Sequence, residues 1–188
     1  NNKKLTFKFE HFDTTDEIII EKDLNIKTKK IKDFKDYLNF LKSSRIIVDH
    51  KEREEIILKK IKSFSQSKQY KENLNPNLLE EVVNIVEDPN LLHVSFSKNY
   101  LEIPKEIIIS TLEKHQRYFP IFDSRDRLTN YFFVVANKKD EKKLITEGNK
   151  RVVEARLADA KFFWDKDRSK NLIKQIANLK SVTFYEKL

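Results

Sequence analysis

The residue order predicts an α+β fold, a mixed and mainly antiparallel sheet with peripheral helices. Three observations carry it. The aromatic and β-branched runs "YFPIFD" and "YFFVVAN" are joined by a charged turn, "SRDRLTN", as in a hairpin. The opening "LTFKFEHF" alternates apolar and polar residues, the period of a strand. Between such runs lie stretches whose apolar positions recur every three or four residues, the period of a helix with one buried face.

Taken in order, "LTFKFEHF" and "EIIIE" read as a β-hairpin across an Asp/Thr-rich turn. Ile31, Phe34, Leu38 and Leu41 are spaced as one face of a short amphipathic helix. "RIIV" is a candidate buried strand, after which Asp49 caps a long helix, "HKEREEIILKKIKSF", whose Ile56, Ile57, Lys60 and Ile61 leave one face strongly charged. The polar run from Gln66 to Asn77 reads as a loop and as the main internal boundary. Asn75 before Pro76 starts a helix, because the missing proline N–H costs nothing in the first turn, and "NLLEEVVNIVED" stops before Pro89. "LLHVSF" has strand character, Pro104 opens the helix "PKEIIISTLEKHQ", and residues beyond about Asp140 read as helical. The expected organisation is a mixed N-terminal part over 1–70, a central α/β part over 71–140 and a helical part over 141–188.

Composition excludes several chemistries. One glycine in 188 residues supplies neither a P-loop nor a dinucleotide fingerprint. With no cysteine there is no disulfide, no thiolate nucleophile and no cysteine-bound zinc. His11, His50, His93 and His115 are scattered, none paired at metal-ligand spacing, so no metal site is expected. His93 lies within an apolar strand pattern and reads as a core or interface histidine. The absence of methionine leads to the expectation that these residues are an internal piece of a longer chain. Apolar runs are short and no signal-peptide pattern opens the sequence, which gives a soluble, cytoplasmic protein as the expectation.

The net charge of +8 favours polyanions through attraction and counterion release, although lysines mixed with acids also describe an ordinary solvated surface. Two stretches concentrate the candidates. In "KHQRYFP", Lys114 and Arg117 are placed to hold phosphate, with His115, Gln116 and Tyr118 beside them as base or sugar contacts; the same cations would also complement a helix C-terminus. In "GNKRVVEARLADAKFFWDKDRSKNL", which holds the single glycine, Val153, Leu157, Ala160 and Trp164 form a buried helix face, and Ala155, Ala158 and Ala160 would let another element approach closely. Arg156 and Asp159 are spaced to pair along the helix surface. The aromatic cluster there reads as packing, and Lys150, Arg151 and Arg156 as candidates for contacting a partner.

The runs "GNKRVVEARLADAKFFWDKD", "HQRYFPIFD", "YFFVVAN" and "NLLEEVVNIVEDP", in that family's order over roughly Leu78 to Leu172, resemble the beta subunit of the bacterial heterotetrameric glycyl-tRNA synthetase. The first seventy residues match only in general pattern. Lys150 stands where the family usually has an acid, Arg117 where lysine is common, and "SRDRL" where a glycine is more typical. The resemblance implies a B3/B4-like fold, related to that domain of the phenylalanyl-tRNA synthetase beta chain. It implies a whole enzyme that joins glycine to tRNA(Gly), using ATP and Mg in an active site on a separate alpha subunit, with two alpha and two beta chains. This segment would then carry no cofactor and no catalytic residue, and would support tRNA binding and assembly rather than adenylation. A pure scaffold is the alternative, and a B3/B4-type editing domain the last in rank, since a pocket for glycine excludes larger amino acids by size.

Overall fold

The computed structural model describes residues 5–22, 24–72, 74–169, 173 and 176. It bears out the α+β expectation, with antiparallel pairing throughout the registered ladders. The chain divides into two compact units, each assembled from separated stretches. One comprises Asn1–Gln66, Leu74–Leu91 and Val135–Lys139; the other comprises Ser67–Asn73, Leu92–Val134 and Asp140–Leu188.

In the first unit the opening residues pair differently from expectation. Strand β1 (Lys8–Phe9) folds back on β2 (Phe12–Asp13), and β3 (Glu17–Lys22) pairs with β4 (Asn25–Lys30), not with the opening stretch. Thr14 accounts for the separation: its Oγ1 accepts from Phe7 N at 3.2 Å and donates to Leu5 O at 3.0 Å, closing the first hairpin on itself. Helix α1 (Phe34–Ser43) begins three residues later than the apolar spacing suggested, because the Asp33 side chain accepts from Asp36 N at 2.8 Å and sets the first turn. Its buried residues are therefore Phe40 and Leu41, packed with Ile20 and flanked by Ile18, Ile31, Tyr37 and Ile46, while Phe34 and Leu38 face solvent.

"RIIV" is not a strand. Ile47 N donates to Glu87 O at 2.9 Å, and the carbonyls of Ile47 and Val48 are taken by the Arg53 guanidinium at 2.7 and 2.8 Å, so no ladder is needed to satisfy them. Arg53 projects from α2 (His50–Lys68), where Asp49 accepts from Lys51 N at 2.9 Å as expected of a cap; its Nε also reaches Val83 O at 2.9 Å. Val83 belongs to α3 (Pro76–Ile85), which starts at Asn75 and Pro76 as predicted, with Asn75 Oδ1 accepting from Asn77 N and Leu78 N.

The expected loop from Gln66 to Asn77 is largely ordered structure. Helix α2 continues to Lys68, Gln69 turns the chain at φ 55°, and β5 (Tyr70–Lys71) pairs antiparallel with β7 (Phe119–Asp123). That strand exists only because a distant backbone is there to receive it, so its polar local sequence gives no sign of it. In the second unit the sheet runs β5-β7-β8-β6, with β6 (Asn90–Ser95) and β8 (Leu128–Ala136) where the sequence placed strands.

One face of this sheet, through Val94, Phe96, Phe132 and Val134, packs on Ile108 and Leu112 and on Val153 and Leu157. Ile108 lies in α4 (Lys105–Ser110), which passes into a π-helical turn, Thr111–His115. Val153 and Leu157 lie in α5 (Leu144–Arg168), with Ala160 and Trp164 packed against the same core. The predicted buried face of this helix is therefore present. The reading of its aromatic cluster as packing holds for Trp164 alone: Phe162 and Phe163 are 61% and 57% exposed, because at about 100° per residue Phe162 falls opposite that core and Phe163 on the flank of the helix.

Candidate nucleic-acid interface

The candidate surface is built where the π-helical turn meets the start of α5. A π turn holds one more residue than an α turn. Here Arg117 N bonds to Glu113 O at 3.2 Å and Tyr118 N reaches six residues back to Leu112 O at 2.9 Å, one residue wider than the usual helix-ending pair of bonds. Closing this wide end requires a left-handed residue, a position normally given to glycine; Arg117 occupies it, at φ 59°. The Arg117 guanidinium also donates to Lys114 O, folding the side chain back across the turn it terminates.

Tyr118 then enters the core. It is 9% exposed, its ring stacks on Phe132 with centroids 5.3 Å apart, and its hydroxyl donates to Asn149 Oδ1 on α5. Burial raises the Tyr118 pKa, which keeps that hydroxyl a donor. Asn149 is itself held by its Nδ2, which donates to Ile145 O at 2.7 Å. Asp140 anchors the start of α5, accepting from Ile145 N at 2.9 Å and from both the amide and hydroxyl of Thr146 at 2.7 and 2.6 Å. Partial burial opposes ionisation of Asp140, and the Thr146 and backbone hydrogen bonds outweigh it, so its pKa is lowered.

The eight sequence candidates thus separate by position. Lys114, His115 and Arg117 are exposed at the π-helical end, and Gln116 is half-buried beside them. Tyr118 is a packing and hydrogen-bonding residue with no free ring face of note. On α5, Lys150 is half-buried and Arg151 and Arg156 are exposed. At 3.6 residues per turn, Arg156 lies about 20° around the helix from Asn149 and two turns along it, whereas Arg151 lies about 160° away. Arg156 therefore shares the side of α5 that meets the Lys114–Arg117 corner.

Sequence reasoning missed Asn149 and Asp140, whose importance comes from partners brought by the fold. It also missed two braces on α5: Glu154 Oε1 accepts from Ser97 N at 3.0 Å, and Lys161 Nζ bonds to Glu102 at 2.9 Å and pairs with Asp165 at 3.2 Å. His93, expected in a core or interface, is half-buried in an aromatic stack. Its ring lies 4.6 Å from that of Tyr131 at 13°, and its Nε2 is 3.3 Å from the Tyr70 hydroxyl. Burial, and then the nearby Lys68 charge, lower its pKa. Among the described residues, no three His, Asp or Glu side chains converge to hold a metal ion, and no helix is long and apolar enough to cross a membrane.

The model of the family described as "Glycyl-tRNA synthetase beta subunit" matches residues 1–188. The chain belongs to this family. Among curated proteins, the glycine–tRNA ligase beta subunit of Listeria welshimeri is 37% identical over 163 residues, covering 86% of this chain and 24% of its own length. That of Buchnera aphidicola is 38% identical over 181 residues, covering 94% of this chain and 26% of its own. That of Lactobacillus gasseri is 39% identical over 154 residues. The chain spans about a quarter of the length of these relatives. The turn between β7 and β8 closes without a glycine. Asp126 takes the left-handed position at φ 62°, which aspartate tolerates better than most residues, and its carboxylate pairs with Lys71 at 2.9 Å.

Proposed function

We propose that these residues serve a glycine–tRNA ligase as the part of its beta subunit that holds tRNA(Gly) by its backbone and braces the subunit. The whole enzyme attaches glycine to tRNA at the expense of ATP. In this reading ATP and Mg act in the alpha subunit, and the assembly contains two alpha and two beta chains. This segment contributes contact and support, not adenylation.

The observation that carries the reading is the basic corner. Lys114, His115 and Arg117 are presented at one exposed end, Arg156 lies on the adjoining side of α5, and the Tyr118–Asn149 hydrogen bond fixes the two elements together. Phosphate oxygens would accept from Lys114, Arg117 and Arg156, and His115 and Gln116 would reach sugar or base edges. Held on a rigid frame, the cations need little reordering on binding, which favours affinity.

The test is charge reversal in the assembled enzyme. Arg117→Glu and Arg156→Glu should each weaken tRNA binding and reduce the slope of log affinity against log salt by about 0.7–0.9 per lost phosphate contact. Unchanged affinity and slope at low salt would remove the contact reading and leave bracing. That second reading is favoured by the Glu154 and Lys161 bonds, which tie α5 to the 3₁₀ turn at Lys98–Glu102 and the residue before it.

A further inference from the structure

The C-terminal half of α5 sets exposed aromatic rings among exposed charges, and most of those charges are already engaged. Lys161 is held by Glu102 and Asp165, Lys166 Nζ lies 5.6 Å over the Phe162 ring, and the Arg168 guanidinium lies 5.9 Å over Trp164. Arg156 and Asp159 are different. They are spaced to pair along the helix, yet both are exposed, and among the described residues neither side chain has a hydrogen-bond or ion-pair partner. Phe163, 57% exposed, touches Phe162 edge to face at 5.4 Å, and among the described residues no cation lies over its ring. At 100° and 1.5 Å per residue, Arg156, Asp159 and Phe163 fall within about 60° around the helix and about 10 Å along it.

We propose that these three side chains hold one unpaired nucleotide of tRNA, with its phosphate on Arg156, its base stacked on Phe163 and an exocyclic amino group of that base donating to the Asp159 carboxylate. The inference rests on the reading of Arg156 as a phosphate contact and adds base recognition to it. A phosphate beside Asp159 would be repelled, so the strand's charge stays at Arg156 and the uncharged base comes over to the acid and the ring. Unpaired bases are the part of an RNA that proteins splay onto aromatic rings and read along their edges. The stack accepts any base, and the carboxylate favours one with an amino group, as acidic side chains do at cytosine N4. The net charge of +8 brings a polyanion to this chain in the first place.

The experiment measures tRNA(Gly) affinity of the assembled enzyme across a salt series, with a thermal melt of each variant. Asp159→Ala should weaken binding, although removal of an acid would by charge alone strengthen it. Phe163→Leu should lower affinity at least about fivefold and leave the slope of log affinity against log salt unchanged, whereas Phe163→Trp should retain it, since stacking needs a ring and not a charge. Asp159→Ala binding as tightly as the wild type, or more tightly, would overturn the proposal. So would full affinity in Phe163→Leu, or a loss there that accompanies a lowered melting temperature, which would make the ring a packing residue against another part of the enzyme. Arg156→Glu separates the two readings: if it lowers affinity and slope while the Asp159 and Phe163 variants bind as the wild type does, the phosphate contact stands and the base site falls. If it too changes nothing, both fall. Asp159→Ala, at an exposed position, keeps the test decisive if Phe163→Leu does not assemble.

Discussion

Arg117 joins strain to charge at a single position. A non-glycine residue at φ 59° is held there by the wide π-helical end, at a conformational cost of about 1 kcal/mol. Arg117→Gly should therefore raise stability by roughly that amount in urea melts, while lowering tRNA affinity of the assembled enzyme; a variant that is both more stable and fully binding would show that the arginine is dispensable. His93 supplies a pH signature. Its folded pKa lies below the ordinary value near 6.5, so above that value it is neutral in both states and its packing contributes fully. As pH falls below about 6.5 the unfolded chain takes up a proton that the folded chain resists, and stability is lost until the pH passes the folded pKa. The melting temperature should fall as pH drops below about 6.5, and His93→Phe, which keeps a ring against Tyr131, should flatten that drop. The strand pattern showed that His93 would be inward-facing; its stacking partners come from β8 and β5, which lie far away in sequence.

At the level of elements, α5 is where local and long-range information separate most clearly. The spacing of Val153, Leu157, Ala160 and Trp164 forecasts its buried face, because a helix repeats its own direction every 3.6 residues whatever it packs on. The same spacing does not say whether the opposite side is covered, and Phe162 and Phe163, read as packing, are exposed. Gly148→Ala should stabilise the helix by about 0.5–1 kcal/mol, since alanine is the better helix former and its methyl meets open space. Thermal melts of the wild-type and variant chains measure this directly; a lowered melting temperature would mean that the glycine relieves a contact the helix cannot otherwise accommodate. Helices α2 and α3 were legible for a related reason: Asp49 and the Asn75–Pro76 pair act on the amides of their own first turns. Strand β5 and the "RIIV" segment were not, because a strand is defined by what pairs with it.

For the molecule as a whole, the excess of 38 basic over 30 acidic side chains should give any tRNA a salt-sensitive attraction that carries no sequence preference. Titrations of the assembled enzyme with tRNA(Gly) and with a non-cognate tRNA should both lose affinity steeply with salt. The charge reversals at Arg117 and Arg156 should lower both by similar factors, because phosphate contacts position and do not specify. A loss confined to tRNA(Gly) would instead assign base-reading to the corner.

Residue order alone settles the α+β class, the capped helix starts, the strands β6, β7 and β8, the exclusion of cysteine and glycine-loop chemistry, and the family resemblance. All of these rest on periodicity, on side chains acting within one turn, or on residue types present or missing. The tertiary structure adds which hairpins close, that Tyr70 and Lys71 join a sheet, and that Tyr118 turns inward to Asn149. Each of these depends on a backbone or side chain distant in sequence, whose position no local spacing encodes.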